Sequence, residues 1–88
     1  IRPAIVIADT ETPVAMVVPC TSNVSALRFP STFEISPSSR NGLRETSIAL
    51  LFQLGAVDKR RLTRKIGVLE KVHQEKVARI LKDLLGFS

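Results

Sequence analysis

The chain has 88 residues, 44% of them hydrophobic and 24% charged, with 13 Lys and Arg against 8 Asp and Glu; this is the composition of a folded globular protein, in a length that predicts one domain over 1–88 burying only roughly 60–65% of the surface it exposes unfolded, so that a partner subunit or bound peptide adds to its stability. One cysteine, Cys20, and one histidine, His73, exclude an internal disulfide and a zinc site, and leave no metal or other cofactor to expect. No apolar run approaches the about 20 residues that span a bilayer, and no charged-then-apolar leader pattern opens the sequence, so the expectation is a reducing, cytoplasmic setting without a membrane.

Residues 3–8, Pro-Ala-Ile-Val-Ile-Ala, are apolar and rich in β-branched side chains, and predict a buried strand. Arg2 stands at its mouth beside a proline that fixes the backbone. There it either presents a planar fork of donors to a phosphate or frays as a terminus. Residues 9–13 are polar, hold a proline and predict a turn. Residues 14–19 predict a second strand, paired with the first as a hairpin. Cys20 ends this strand and reads as a small hydrophobe rather than a nucleophile. Thr21 and Ser22 follow, where a hydroxyl either caps a turn or reaches a ligand. The rest of 21–31 reads as a loop.

Thr32-Phe33-Glu34-Ile35 alternates polar and apolar as a half-exposed strand does. Residues 36–42 form a loop that ends on an Asn-Gly turn signal. The apolar run 47–53 suits helix or strand by its leucines. Its shortness and the turn signals around it favour a strand. Asp58 is placed to cap a single helical turn over 58–62. In 63–69, Ile66 and Val68 share one face, a short strand interrupted by Gly67.

Helical periodicity appears once, over 70–85, where Val77, Ile80, Leu81 and Leu84 follow i, i+3, i+4, i+7 spacing. Glu75 with Arg79 and Arg79 with Asp83 are spaced for ion pairs, and Gly86 is the stop signal. His73, beside Lys71, Gln74 and Lys76, reads as a surface residue. Residues 1–56 are neutral, with four basic and four acidic side chains, whereas 57–88 hold nine basic and four acidic. Lys59, Arg60, Arg61, Arg64 and Lys65 fall within seven positions. Such a run either attracts phosphates or an acidic protein segment, or is a solvated basic loop.

Strands without helical crossovers imply a mostly antiparallel sheet. Curled or closed into a small open barrel, with the C-terminal helix packed on it, that sheet makes the simplest core. No phosphate-binding glycine loop or nucleophile elbow occurs.

An ordered series of motifs covers essentially the whole chain. Arg2-Pro3-Ala4-Ile5-Val6-Ile7, Val17-Val18-Pro19-Cys20-Thr21-Ser22, Phe29-Pro30 with Phe33-Glu34-Ile35, and Gly42-Leu43 with Ser47 through Gln53 come first. Val57 through Leu62, Lys65-Ile66-Gly67 and the closing Leu84-Leu85-Gly86-Phe87 complete it. In this order they resemble the MazF/PemK toxins of toxin–antitoxin systems. The resemblance implies an SH3-like curled antiparallel sheet with a C-terminal helix. It implies a homodimeric endoribonuclease that cuts single-stranded RNA without a metal, leaving a 2′,3′-cyclic phosphate and a 5′-hydroxyl.

By motif, Arg2 matches the catalytic arginine and Thr21 the hydroxyl residue that holds the scissile phosphate. Ser22, Asn23, Arg28, Phe29, Pro30 and Gln53 fall at or beside positions that contact RNA. Phe29 suits either stacking on a base or a place in the core. The implied partners are RNA, a cognate antitoxin with an acidic disordered segment, a second copy, and operator DNA reached through the antitoxin.

Two departures stand against the family pattern. Its usual first strand, containing Arg-Gly-Asp, and the loop after it have no counterpart before Arg2. Gly55 stands where an arginine commonly follows Gln-Leu. Two other functions therefore compete. One is a gyrase-directed, non-enzymatic toxin of the CcdB type, against which the Arg2 and Thr21 pair argues. The other is an inactive shortened relative acting in antitoxin or DNA-bound complexes.

Overall fold

The computed structural model describes residues 2–9 and 11–86. Thr10 of the first turn and Phe87 of the closing motif lie outside the described residues. Five strands form: β1 (Ala4–Asp9), β2 (Val14–Thr21), β3 (Thr32–Ile35), β4 (Ser47–Leu50) and β5 (Gly55–Asp58). One helix, α1 (Lys71–Leu84), follows them. Every pairing is antiparallel, in the order β1-β2-β4-β3, with β5 also on β2.

The eight-residue β2 organises the sheet because it is long enough to serve three partners. Val14–Val17 face β5 and residues 15–19 face β1, while Cys20 and Thr21 pass to β4. Its Ala15, Val17, Val18 and Cys20 are buried, as expected of a central strand with apolar side chains on both faces.

Val18, Cys20, Phe33, Ile35, Ala49 and Leu51 make the main core, and α1 inserts Val77 into it with Ile80 and Leu81 alongside. Burying such side chains stabilises by about 1.5–3 kcal/mol each. The helix lies within one residue of its expected bounds at each end. Gly86 takes φ +77° just past it, donating its N–H to the Asp83 carbonyl, which is the left-handed ending that glycine allows.

Several expectations are corrected. The first strand is not buried: β1 pairs with β2 alone, and Val6 is 48% exposed on it. The run 47–53 is a strand only to Leu50. Leu51 then donates its N–H to the Ser31 carbonyl at 3.0 Å and turns fully inward, so Leu51–Gln53 is a 3₁₀ turn and β5 follows unforeseen. The loop 21–31 contains a 3₁₀ helix, Val24–Arg28, seated by Ala26 against Ile48 and Leu50.

Residues 63–69 form no strand. Gly67 lets the backbone of Arg40 and Asn41 approach so closely that an added Cβ would lie 2.4 Å from it. Val68 donates its N–H to the Arg40 carbonyl at 2.8 Å, so a loop stands where a strand partner was expected. His73, expected at the surface, is half-buried. Its ring stacks on Phe33 with centroids 5.7 Å apart, and its Nδ1 is buried without a partner. The ion pairs expected on the helix do not close among the described residues, whereas Arg60 and Asp58 pair at 2.8 Å beside the 3₁₀ turn Lys59–Arg61 that Asp58 caps. No helix among the described residues is long and apolar enough to cross a membrane.

Candidate active site

Arg2 and Thr21 lie at the same end of the β1–β2 pair. Ala4 pairs with Pro19, and the ladder continues one step outward where Cys20 donates its N–H to the Pro3 carbonyl at 3.1 Å. Arg2 and Thr21 lie one residue beyond this last bond, where the same register, extended one step, would oppose them. Directly opposed residues of an antiparallel pair project to the same side, and both line one groove. The exposed Arg2 side chain is supported from behind by Pro3, whose fixed φ holds the chain in line with β1.

Thr21 is half-buried, and its Oγ1 accepts the Asn23 N–H at 3.2 Å. The cap expected of a hydroxyl here is therefore formed, and the hydroxyl proton stays available to an anion. Asn23 in turn starts the helix Val24–Arg28, its Oδ1 accepting from the Ser25 N–H at 3.1 Å and from Ser25 Oγ at 2.7 Å. Cys20, next to Thr21, is buried. Burial pushes its thiol up to about 11, which removes it as a nucleophile at neutral pH.

The groove has a volume of about 1690 Å³ and runs between β1, the end of β2, residues 41–47, residues 61–69 and the inner face of α1. Its lining carries Arg2, Arg44, Arg61, Arg64 and Lys65 against one carboxylate, Glu45. Arg61, Arg64 and Lys65 of the basic run thus line the same cleft as Arg2 and Thr21, whereas Arg60 pairs with Asp58. Among the described residues no group of three or more His, Cys, Asp or Glu is placed to hold a metal ion.

The far wall is held by a network around Asn41, which is 6% exposed. Its Oδ1 accepts from the Ser38 and Leu43 N–H groups, each at 3.0 Å. Its Nδ2 donates to the Ser36 carbonyl at 2.9 Å and to Glu70 Oε1 at 3.1 Å. Ser38 Oγ donates to the other Glu70 oxygen. These donors, Ser38 foremost, hold the Glu70 carboxyl below the usual carboxylate range. Glu70 sits where α1 begins, so the network ties the loop that carries Leu43 and Arg44 to the helix end.

The eight residues singled out by sequence divide in two. Arg2, Thr21, Ser22 and Asn23 line the groove. Arg28, Phe29, Pro30 and Gln53 do not; they are exposed at the far end of the helix Val24–Arg28 and on the turn Leu51–Gln53. Of the two roles open to Phe29, the core is excluded, since the ring is 44% exposed. Sequence reasoning missed Arg44, Phe52 and the Asn41 network. The Asn-Gly signal marked a turn at 41–42, but nothing in it indicated that the asparagine side chain is buried.

The sequence and the fold have known counterparts. Residues 1–85 match the family model described as PemK-like, MazF-like toxin of type II toxin-antitoxin system. The chain is 33% identical over 86 residues to Endoribonuclease EndoA of Bacillus subtilis (strain 168), an alignment covering 93% of this chain and 73% of that protein. It is similar in fold to the Mycobacterium tuberculosis toxin MazF-mt6, with a TM-score of 0.81 and 18% identity over 99% of this chain and 88% of that one.

Proposed function

The chain belongs to the PemK-like, MazF-like toxins of type II toxin–antitoxin systems, and from that membership we propose that it is an endoribonuclease whose chemistry is carried by Arg2 and Thr21. The observation that carries the reading is that these two residues, each one position beyond the last β1–β2 hydrogen bond, line the same groove, whose lining holds five cations with Arg2 among them. In the proposed reaction the ribose 2′-oxygen attacks the adjacent phosphorus and the bond to the 5′-oxygen breaks. The 2′-hydroxyl proton passes to solvent water, and a proton from water is delivered to the departing 5′-oxygen. A 2′,3′-cyclic phosphate and a 5′-hydroxyl remain.

The attacking group belongs to the substrate, so the protein supplies position and positive charge. Thr21 Oγ1 donates to a non-bridging phosphate oxygen while it accepts from Asn23. Arg2 holds its proton tightly, so its part is to stabilise the charge that builds on the phosphorane oxygens. Ser22 and Asn23 position the strand beside the scissile phosphate. Arg28, Phe29, Pro30 and Gln53 contact it further along. No step requires a metal ion.

An acidic antitoxin segment satisfies the same cations and would block the groove. The reading extends to a cytoplasmic homodimer that reaches operator DNA through that antitoxin. The test is incubation of end-labelled single-stranded RNA with the protein in EDTA, alongside Arg2→Ala and Thr21→Ala. Cleavage by the parent alone, with products that accept a 5′-phosphate directly, supports it. Cleavage that survives both substitutions removes the site assignment. Absence of cleavage together with gyrase inhibition replaces the reading with a protein-directed toxin.

A further inference from the structure

We propose that Phe52 is a base-stacking residue, its exposed ring, tilted against Phe29 and near the Arg28 guanidinium, taking one unpaired nucleobase. The proposal rests on the ribonuclease reading and deepens it by naming a residue that holds the RNA beside the cut. Phe29 and Pro30 were expected near RNA by resemblance, whereas nothing in the sequence singled out Phe52.

The chain has four phenylalanines and no tryptophan or tyrosine. Two of the four are spent side by side at the surface, Phe29 at 44% and Phe52 at 43% exposure. Their ring centroids are 5.8 Å apart with planes inclined at 54°, and Arg28 lies 4.9 Å from the Phe29 centroid. Residues 21–33 and 46–57 contain no acidic side chain, so this surface is open to a phosphodiester strand. A cation against an aromatic face is the arrangement on which single-stranded nucleic acids stack.

Backbone geometry shows that the pair is held rather than incidental. Ser31, between the two segments, takes φ 59°, a left-handed conformation costly for a residue with a Cβ. Its carbonyl accepts the Leu51 N–H at 3.0 Å, and Thr32 Oγ1 donates to the Phe29 carbonyl at 2.8 Å. These bonds bring residues 29 and 52 together across 23 positions of sequence. The pair is also held at a fixed distance from the proposed phosphate site. Thr21 joins Asn23, Asn23 caps the five-residue helix Val24–Arg28, and that helix is roughly 10 Å long. Ala26 pins it to Ile48 and Leu50. One strand can therefore touch Thr21 and the rings together.

The experiment uses a single-stranded RNA made uncleavable by a 2′-deoxy sugar at the cut, with fluorescent 2-aminopurine placed at successive positions. The parent protein is expected to quench one position near the cut. Phe52→Ala should abolish that quench and raise KM for the cleavable RNA about tenfold with kcat retained. Phe52→Trp should restore both. Phe52→Leu, which keeps an apolar side chain but lacks a ring face, should behave as the alanine variant does. An unchanged quench and KM in Phe52→Ala overturn the proposal. So does a loss of self-association or of antitoxin binding with the RNA parameters intact, which would make the rings a protein contact. A parent protein that binds no RNA overturns the ribonuclease reading itself, and is recognised before any variant is compared.

Discussion

At Arg2 and Thr21 the backbone decides what the side chains can do. Neither residue is distinctive in sequence, where each suits an end or a turn; the antiparallel pairing of β1 with β2 brings both to the lining of one groove. If Arg2 stabilises developing charge, Arg2→Ala should lower kcat by about 10²–10³-fold. Thermal melting should be unchanged, because the side chain is exposed. Arg2→Lys keeps the charge and loses the fork, so it should recover part of the rate. Loss of activity that tracks loss of folding across these variants would remove the chemical role. Asn41 shows the opposite relation of sequence to structure. Its side chain satisfies four groups from within the protein, yet in sequence it is half of an ordinary turn signal. Asn41→Ala should cost about 1–3 kcal/mol in denaturant unfolding, since its partners lose their hydrogen bonds where water is scarce.

Among the elements, the legible ones are those whose side-chain pattern alone decides them. β2 and α1 declare themselves by apolar runs and helical spacing, and the structure returns them within a residue or two. The misread segments are those where a backbone contact from elsewhere decides. Residues 63–69 have a strand's composition but are occupied by the loop at Arg40 and Asn41. Leu51 leaves its strand because Ser31 offers a carbonyl. Gly67 is where that difference can be tested. An alanine Cβ there would lie 2.4 Å from the Arg40 carbonyl oxygen, so Gly67→Ala should destabilise by about 1–3 kcal/mol and displace the groove wall. Alanine tolerated without loss of stability would mean the contact is not fixed. The same wall should respond to acid. Glu70 has a depressed carboxyl when folded, so its contribution is complete above the ordinary glutamate value of about 4.3 and is lost as pH falls through the lower folded value. Melting between pH 6 and pH 3 should therefore decline less steeply in Glu70→Gln than in the parent. Parallel declines would show that the Ser38 and Asn41 bonds do not discriminate the ionised form.

For the whole molecule, the charge is more informative than any single motif. The sequence places the net positive charge in its last third but leaves open whether it faces a ligand or water. Folding decides this by placing residues 61–65 in the lining of the groove that Arg2 and Thr21 also line. Cations lining one cleft act on a polyanion together, and each neutralised phosphate releases counterions. For a single strand the logarithm of affinity falls against the logarithm of salt with a slope of about −0.7 per phosphate contacted. Five groove cations give a slope of about −3.5, or about a hundredfold loss of RNA affinity between 50 and 200 mM salt. Replacing Arg61, Arg64 and Lys65 by glutamine should reduce the slope to about −1.4 and leave the Arg2 and Arg44 contacts in place. The same triple variant should weaken an acidic antitoxin segment, because both polyanions draw on one set of charges. Fluorescence anisotropy titrations at several salt concentrations measure both effects. A slope unaffected by the triple substitution would mean that these side chains are solvated and that RNA enters by another face.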